Sequence, residues 1–136
     1  MKYGLRKVNK DLQHYDFTWP DQVGSIAKCP DWNPQPECGG GLHFLPEAVG
    51  DYDLLSGHYW VVVEYDDTKA VAIDLDKAKV EECKIVYFSE DPSGLLEFFD
   101  ANKLDSEHAY HWARDIGNHD VMIDRVTDSQ WRNLLP

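Results

Sequence analysis

Three cysteines and one histidine around a glycine run are the side chains in this sequence best suited to metal chemistry. The pattern C-x8-C-x4-H places Cys29, Cys38 and His43 in order, and Cys83 could join them from a later strand. Thiolates and imidazoles are the ligands that zinc prefers in structural sites. The spacing departs from a CxxC knuckle, so the favoured alternative is three small buried thiols and one packed imidazole. We expect no cofactor, and zinc is kept as the weaker hypothesis.

The glycine run itself, Gly39-Gly40-Gly41, could cradle a phosphate with its backbone amides. No Lys-Ser/Thr pair follows it, and no GxGxxG pattern follows a strand, so a nucleotide P-loop is excluded. We instead predict a sharp glycine turn into a short strand. That turn would bring Leu42 and Phe44 to the core and leave His43 on the opposite face of the strand.

A second group of residues could support catalysis. Arg6, His43 and Glu64 each lie in or beside a candidate strand, and together they offer a cation, an imidazole and a carboxylate. Spacing alone does not show that the three meet, because catalytic groups assemble only in three dimensions. These three are the candidate catalytic residues. The sequence as a whole nevertheless favours a protein that is not an enzyme.

The charge of the chain limits its partners. The formal net charge is −12, and residues 47–107 carry 16 acidic residues against five lysines. A field of this sign repels nucleic acid phosphates and acidic membranes, so direct binding to either is not expected. The expected partner is a basic host protein, including one that itself binds nucleic acid. Solubility alone is the competing explanation for the acidic surface.

The elements that must position these residues are mainly strands. Residues 14–46 hold five of the seven prolines and are predicted to be irregular. Residues 59–65, YWVVVEY, alternate with period two and predict a strand. Residues 3–8, 70–75 and 83–88 predict further strands, joined by links too short for helical crossovers, so the sheet should be antiparallel, with hairpin or meander connections.

Helical signals dominate the remainder of the chain. Helices are predicted to begin at Asp91-Pro92, Asp105-Ser106 and Asp128, with Leu95, Leu96, Phe98 and Phe99 on the buried face of the first. The predicted fold class is therefore α+β: a small, mostly antiparallel sheet, a proline-rich irregular N-terminal segment and two to three C-terminal helices. Residues 1–136 should form one domain, with a sheet-rich part (1–90) and a helical part (91–136).

Two stretches of sequence resemble known families. The order YGLRKVNKDL, FTWPDQVG and CP…NPQPECGGGLHF resembles a family of small uncharacterised phage and bacterial domains, in which a CGxGLHF-type motif enters a sheet. Residues 109–131, AYHWARDIGNHDVMIDRVTDSQW, are similar to short helical repeats of phage-type proteins. These resemblances imply a phage or mobile-element protein and specify no reaction.

A more distant likeness concerns ADP-ribosyltransferase-like domains. Arg6 resembles the basic residue of their first strand, and GLHF (41–44) with Ala48 and Tyr52 resembles their next motif. The likeness implies an NAD-using enzyme. The Ser-Thr-Ser motif of these domains is missing, and Glu64, Glu81 and Glu90 are alternatives for the catalytic glutamate.

The leading functional hypothesis is an acidic, non-enzymatic interaction protein, such as an inhibitor or nucleic-acid mimic that binds a basic host protein. The two alternatives are the ADP-ribosyltransferase-like enzyme and a zinc-stapled structural domain. No apolar run approaches the roughly 18 residues that span a membrane. The start leads into no apolar signal-peptide core, so the expected location is the bacterial cytoplasm.

Overall fold

A computed structural model describes residues 1–14, 17–46, 57–73, 77–91, 94–95 and 98. Nine strands account for most of the regular structure: β1 (Lys2–Val8), β2 (Gln13–His14), β3 (Phe17–Thr18), β4 (Ile26–Lys28), β5 (Leu42–Phe44), β6 (Tyr59–Tyr65), β7 (Val71–Ala72), β8 (Ala78–Val80) and β9 (Glu82–Ser89). A single 3-10 turn, Asp67–Lys69, lies between β6 and β7.

The strands form antiparallel sheets throughout. One sheet has the order β1-β6-β9-β4 and a second has the order β5-β8-β7, while β2 and β3 make a small hairpin. Leu45, just after β5, pairs with Leu5 on β1, so the two larger sheets share one edge. They are joined again where β8 leads into β9 with only Glu81 between them.

The long strand β6 confirms the predicted alternation. Tyr65, Val63 and Val61 lie in the core between the two sheets, and Tyr59 packs against it. Trp60 and Val62 are also fully buried, on the other face of the strand. β-branched and aromatic side chains at every position except Glu64 fit a strand that is largely covered on both faces.

That second face is covered by residues from after Ser89. Leu95 is fully buried, and the Phe98 ring lies edge-on to Tyr3 at 5.3 Å between centroids. Of the four residues predicted to form the buried face of the first helix, Leu95 is buried and Phe98 is half-buried, whereas Leu96 and Phe99 lie outside the described residues.

The predicted α+β class is wrong for the described chain. Its regular structure is antiparallel strand with one 3-10 turn, and only Gly94, Leu95 and Phe98 have helical backbone there. The signals for helices all lie after Glu90, whereas the earlier sequence combines period-two apolar alternation with proline and glycine, which disfavour helix. The helices predicted from residues 105 and 128 lie outside the described residues.

Each predicted strand segment contains a strand, although that of residues 70–75 is limited to Val71–Ala72, and of the two predicted connections the hairpin occurs rather than the simple meander. Residues 83–88 belong to β9, which pairs with β6, and the β7–β8 hairpin is inserted between these two strands along the chain. β4 interrupts the segment predicted to be irregular and pairs with β9. No helix in the described residues has the length and apolar character needed to cross a membrane.

Candidate functional site

Arg6 and His43, two of the predicted catalytic residues, lie together. Arg6 is directly opposite Val61 in the β1–β6 pair, which turns its side chain toward the core between the sheets. Its Nη1 donates a hydrogen bond to the main-chain oxygen of His43 at 2.9 Å, and its Nε donates to the oxygen of Lys7 at 3.1 Å. The guanidinium carbon also lies 4.6 Å from the centre of the Trp19 ring, a cation–π distance.

Glu64 does not join them. It lies opposite Tyr3 on β1 and opposite Lys84 on β9, and neighbouring residues of a strand point to opposite faces. Because Val61 shares the inner face with Arg6, Glu64 is on the outer face of the same sheet. The sheet therefore separates Glu64 from Arg6 and His43, and the three predicted catalytic residues do not form one site.

Arg6 is a charged group in an apolar setting. It is 4% exposed, and burial lowers the pKa of its guanidinium from 12.5 to about 10, with a small opposing effect of Cys83. Arginine remains cationic at neutral pH even so. Within the part of the chain that the structure describes, Arg6 has no carboxylate partner. The described groups that offset its positive charge are two carbonyl dipoles and one aromatic face.

His43 lies on the other face of β5 from Leu42 and Phe44, which are in the core. This confirms the predicted role of the glycine turn. The Nε2 atom of His43 accepts a hydrogen bond from the N–H of Gly39 at 3.4 Å. Burial, followed by the positive charges of Arg6, Lys77 and Lys79, lowers the pKa of the imidazole from 6.5 to about 4. His43 is therefore neutral at physiological pH.

The shifted pKa of His43 predicts acid sensitivity. Between pH 6.5 and about pH 4 the unfolded chain binds a proton at His43 that the folded chain does not. Stability is thus fully present above pH 6.5 and is lost as the pH falls toward 4, by on the order of 1–3 kcal/mol after allowing for solvent screening. Urea unfolding at neutral and mildly acidic pH should show this loss.

His43→Gln is the matched variant for that experiment, because its amide oxygen can still accept from Gly39 but does not titrate. The fall in stability over the same pH range should be clearly smaller in His43→Gln than in the wild type. Carboxylates and His14, whose pKa is also lowered by burial, contribute to both curves. If the stability of the two proteins depends on pH in the same way, the loss of stability does not arise from His43.

The four predicted zinc ligands do not converge. Cys29 and Cys83 are buried, Cys38 is exposed, and all three are free thiols. The thiol of Cys29 donates to Oδ1 of Asp31 at 3.0 Å, whereas Cys38 Sγ lies 3.6 Å from Nζ of Lys77. Burial raises the pKa of Cys83 to about 12. The described residues contain no group of three histidine, cysteine, aspartate or glutamate side chains that could hold a metal ion.

The main chain around the glycine turn binds the ammonium group of Lys79. Lys79 is fully buried, and its ammonium donates to the main-chain oxygens of Glu37 at 3.0 Å and Gly39 at 2.8 Å. Gly39 and Gly40 adopt φ values of +88° and +61°, in the left-handed region that favours glycine. At Gly41 a Cβ would lie 2.7 Å from Cδ of Lys79, so the lysine stem passes directly over the backbone.

Sequence reasoning missed Lys79. It stands in the short run AKV, where lysine between two apolar residues predicts a solvent-facing side chain. The residue does point away from the core, opposite His43 across β5 and β8, but residues of the 31–41 segment cover it. No feature of the neighbouring sequence indicates that the 31–41 segment covers Lys79.

An acidic groove of about 490 Å³ lies where the ends of β4 and β6 meet the β8–β9 corner. The acidic groove is defined by the charged residues that line this opening: Glu64, Asp66, Glu81, Glu82, Lys69 and Lys84. Its side chains thus supply four carboxylates and two lysine ammonium groups, and the amino group of Met1 adds a positive charge near Asp66. Thr68 donates to Asp66 from both its N–H and its hydroxyl, and these bonds lower the pKa of the Asp66 carboxyl and keep it ionised.

Apolar side chains complete the lining of the acidic groove. Met1 is 75% exposed and Ile26 is 55% exposed, the most exposed large apolar residues of the described chain together with Val23. Half-buried Trp32 contributes an aromatic surface. The groove therefore offers both negative charge and apolar contact area, which suits a ligand with cationic heads on apolar stems.

Comparison of the chain with known protein families, with curated proteins and with solved structures gives no match.

Proposed function

We propose that the protein is a non-enzymatic interaction protein that binds a positively charged segment of another protein in the acidic groove. The observation that carries the proposal is the composition of this groove, with four carboxylates, two lysines and exposed apolar residues around one opening. Lysine and arginine side chains would place their charged ends at the carboxylates and their methylene stems on Met1 and Ile26.

The charge of the whole chain supports the same partner. A net charge of −12 attracts basic surfaces over distances of about a Debye length and raises the rate of encounter. A protein that normally binds nucleic acid carries such a surface. Occupying it would inhibit the partner, in keeping with the expected role of an acidic inhibitor in a bacterial cell.

The alternative NAD-using enzyme has no comparable support. It requires a glutamate beside Arg6 and His43, whereas Glu64 lies on the outer face of the sheet and Glu81 lines the acidic groove. Glu90, the remaining alternative, pairs with His58 at 3.3 Å. We therefore propose no second function.

The test is a pair of charge-matched variants. Glu81→Gln/Glu82→Gln removes two exposed carboxylates from the acidic groove, and Asp11→Asn/Asp21→Asn removes two exposed carboxylates elsewhere. Immobilised wild type should retain a basic protein from bacterial lysate at about 50 mM salt and release it near 500 mM. The groove variant should bind the purified partner about three- to tenfold more weakly, and the control variant should bind like the wild type.

A competition experiment addresses the kind of partner. A DNA fragment added to the complex should displace the protein if both occupy one basic surface. Equal affinity of the two charge-matched variants, or retention that ignores salt, would refute binding through the acidic groove.

A further inference from the structure

Among the described residues, the hydrogen-bond donors around Arg6 have no matching negative charge. We call Arg6, His14, Trp19 and His43 the Arg6 cluster. The two hydrogen bonds of Arg6 go to main-chain oxygens and leave further guanidinium N–H groups for another acceptor. A buried cation is costly unless an anion or several dipoles compensate for it. Among the described residues no carboxylate does so.

Trp19 adds an independent observation. Its side chain is 2% exposed, and its buried indole Nε1 has no hydrogen-bond partner among the described residues. Buried indole N–H groups are normally paired, because an unmade bond costs free energy. The same ring lies against the Arg6 guanidinium at 4.6 Å. Two neighbouring side chains that can only donate hydrogen bonds therefore share one buried region.

The described ionisable groups that interact with Arg6 carry no negative charge. Cys83 is close enough to influence Arg6, but burial raises its pKa to about 12, so it remains a neutral thiol. His14 and His43 both have lowered pKa values and are neutral, which limits their repulsion of Arg6. His14 is the half-buried member of the cluster.

We propose that the Arg6 cluster binds an oxyanion, a carboxylate or phosphate group, through the Arg6 guanidinium and the Trp19 indole N–H. An oxyanion supplies several acceptor lone pairs on one small group, and arginine matches its planar geometry. The site is separate from the acidic groove, and the proposal does not depend on the function proposed there.

Thermal unfolding in the presence of defined anions tests the site. Sodium phosphate and sodium acetate, each compared with sodium chloride at equal ionic strength, represent the two oxyanion sources. At least one of them should raise the unfolding temperature of the wild type in a saturable manner, as expected for a ligand bound only to the folded state. If neither raises it beyond chloride, the proposal is wrong.

Arg6→Met removes the charge while keeping an unbranched apolar stem. Without oxyanion it should unfold at a lower temperature than the wild type, because the oxygens of Lys7 and His43 lose their donor, so the rise caused by each anion is measured against the same variant in chloride. Its affinity for the effective anion should fall by on the order of tenfold or more. Lys10→Gln, which removes an exposed cation, should bind the anion like the wild type.

Trp19→Phe keeps an aromatic ring and deletes the indole N–H together with part of the buried ring. It should weaken anion binding by about threefold and leave the fold intact. Anion stabilisation that is unchanged in both Arg6→Met and Trp19→Phe would place the bound ion elsewhere and overturn the proposal.

Discussion

Lys79→Met is expected to lower the free energy of unfolding by about 2–3 kcal/mol, because it deletes two buried hydrogen bonds from a charged donor. The carbonyls of Glu37 and Gly39 lose their shared partner, and the glycine turn is held less firmly. Methionine retains the stem that passes over Gly41, so packing is largely kept. Urea unfolding followed by tryptophan fluorescence measures the change.

A second variant distinguishes the stability contributed by the ammonium group of Lys79 from that contributed by its methylene stem. Lys79→Ala should cost about 1–2 kcal/mol more than Lys79→Met, since the methylene groups over Gly41 are lost as well. Lys84→Met, the same chemical change at an exposed position of β9, should alter stability by less than about 0.5 kcal/mol.

A local measurement identifies the segment affected by Lys79→Met. The amide of Asn33 donates to the oxygen of Gly40 at 2.8 Å, inside the loop that Lys79 holds. Its hydrogen exchange should accelerate in Lys79→Met more than that of amides in β6. If Lys79→Met and Lys84→Met are equally stable, the buried ammonium does not stabilise the turn.

Gly4→Ala is the second substitution with a large expected effect, a loss of about 2–4 kcal/mol. A Cβ at position 4 would lie 2.7 Å from Cγ and 3.1 Å from Cβ of Phe44. Phe44 is 1% exposed and its ring lies 4.3 Å from that of Tyr65, so it has no free space to move into. Glycine at this position of β1 allows the second sheet to approach the first closely.

A double-mutant cycle checks the cause of that loss. Phe44→Leu alone should destabilise by removing the ring, but in that background Gly4→Ala should cost clearly less than in the wild type. Denaturant midpoints of the four proteins give the coupling energy. Additive costs would show that the added methyl group does not act through Phe44.

The elements with strong local periodicity were predictable from sequence. β6 has the predicted bounds and faces because β-branched and aromatic residues fill six of its seven positions, and any partner would bury them. The glycine turn was predictable for a similar reason. Gly39 and Gly40 permit left-handed backbone, and strand alternation after them separates His43 from Leu42 and Phe44.

The pairing of strands was not predictable, because it depends on contacts distant in sequence. Nothing local indicates that β9 rather than β7 lies beside β6. The burial of Arg6 could not be predicted for the same reason. In KYGLRKV the residues that share its face include Lys2 and Gly4, a pattern typical of a solvent-facing surface. Only the approach of Phe44 and Trp19 makes this face an interior one.

The pairing of β1 with β6 has a consequence for the rate of folding. Val8 at the end of β1 meets Tyr59 at the start of β6, so even the nearest residues of this pair enclose a long loop of chain. Closing that loop costs entropy before the sheet stabilises it, and β proteins dominated by such distant pairs fold in roughly milliseconds to seconds. Until β6 arrives, the hydrogen-bonding edge of β1 is open to other chains, so this interval is when the protein is most exposed to aggregation.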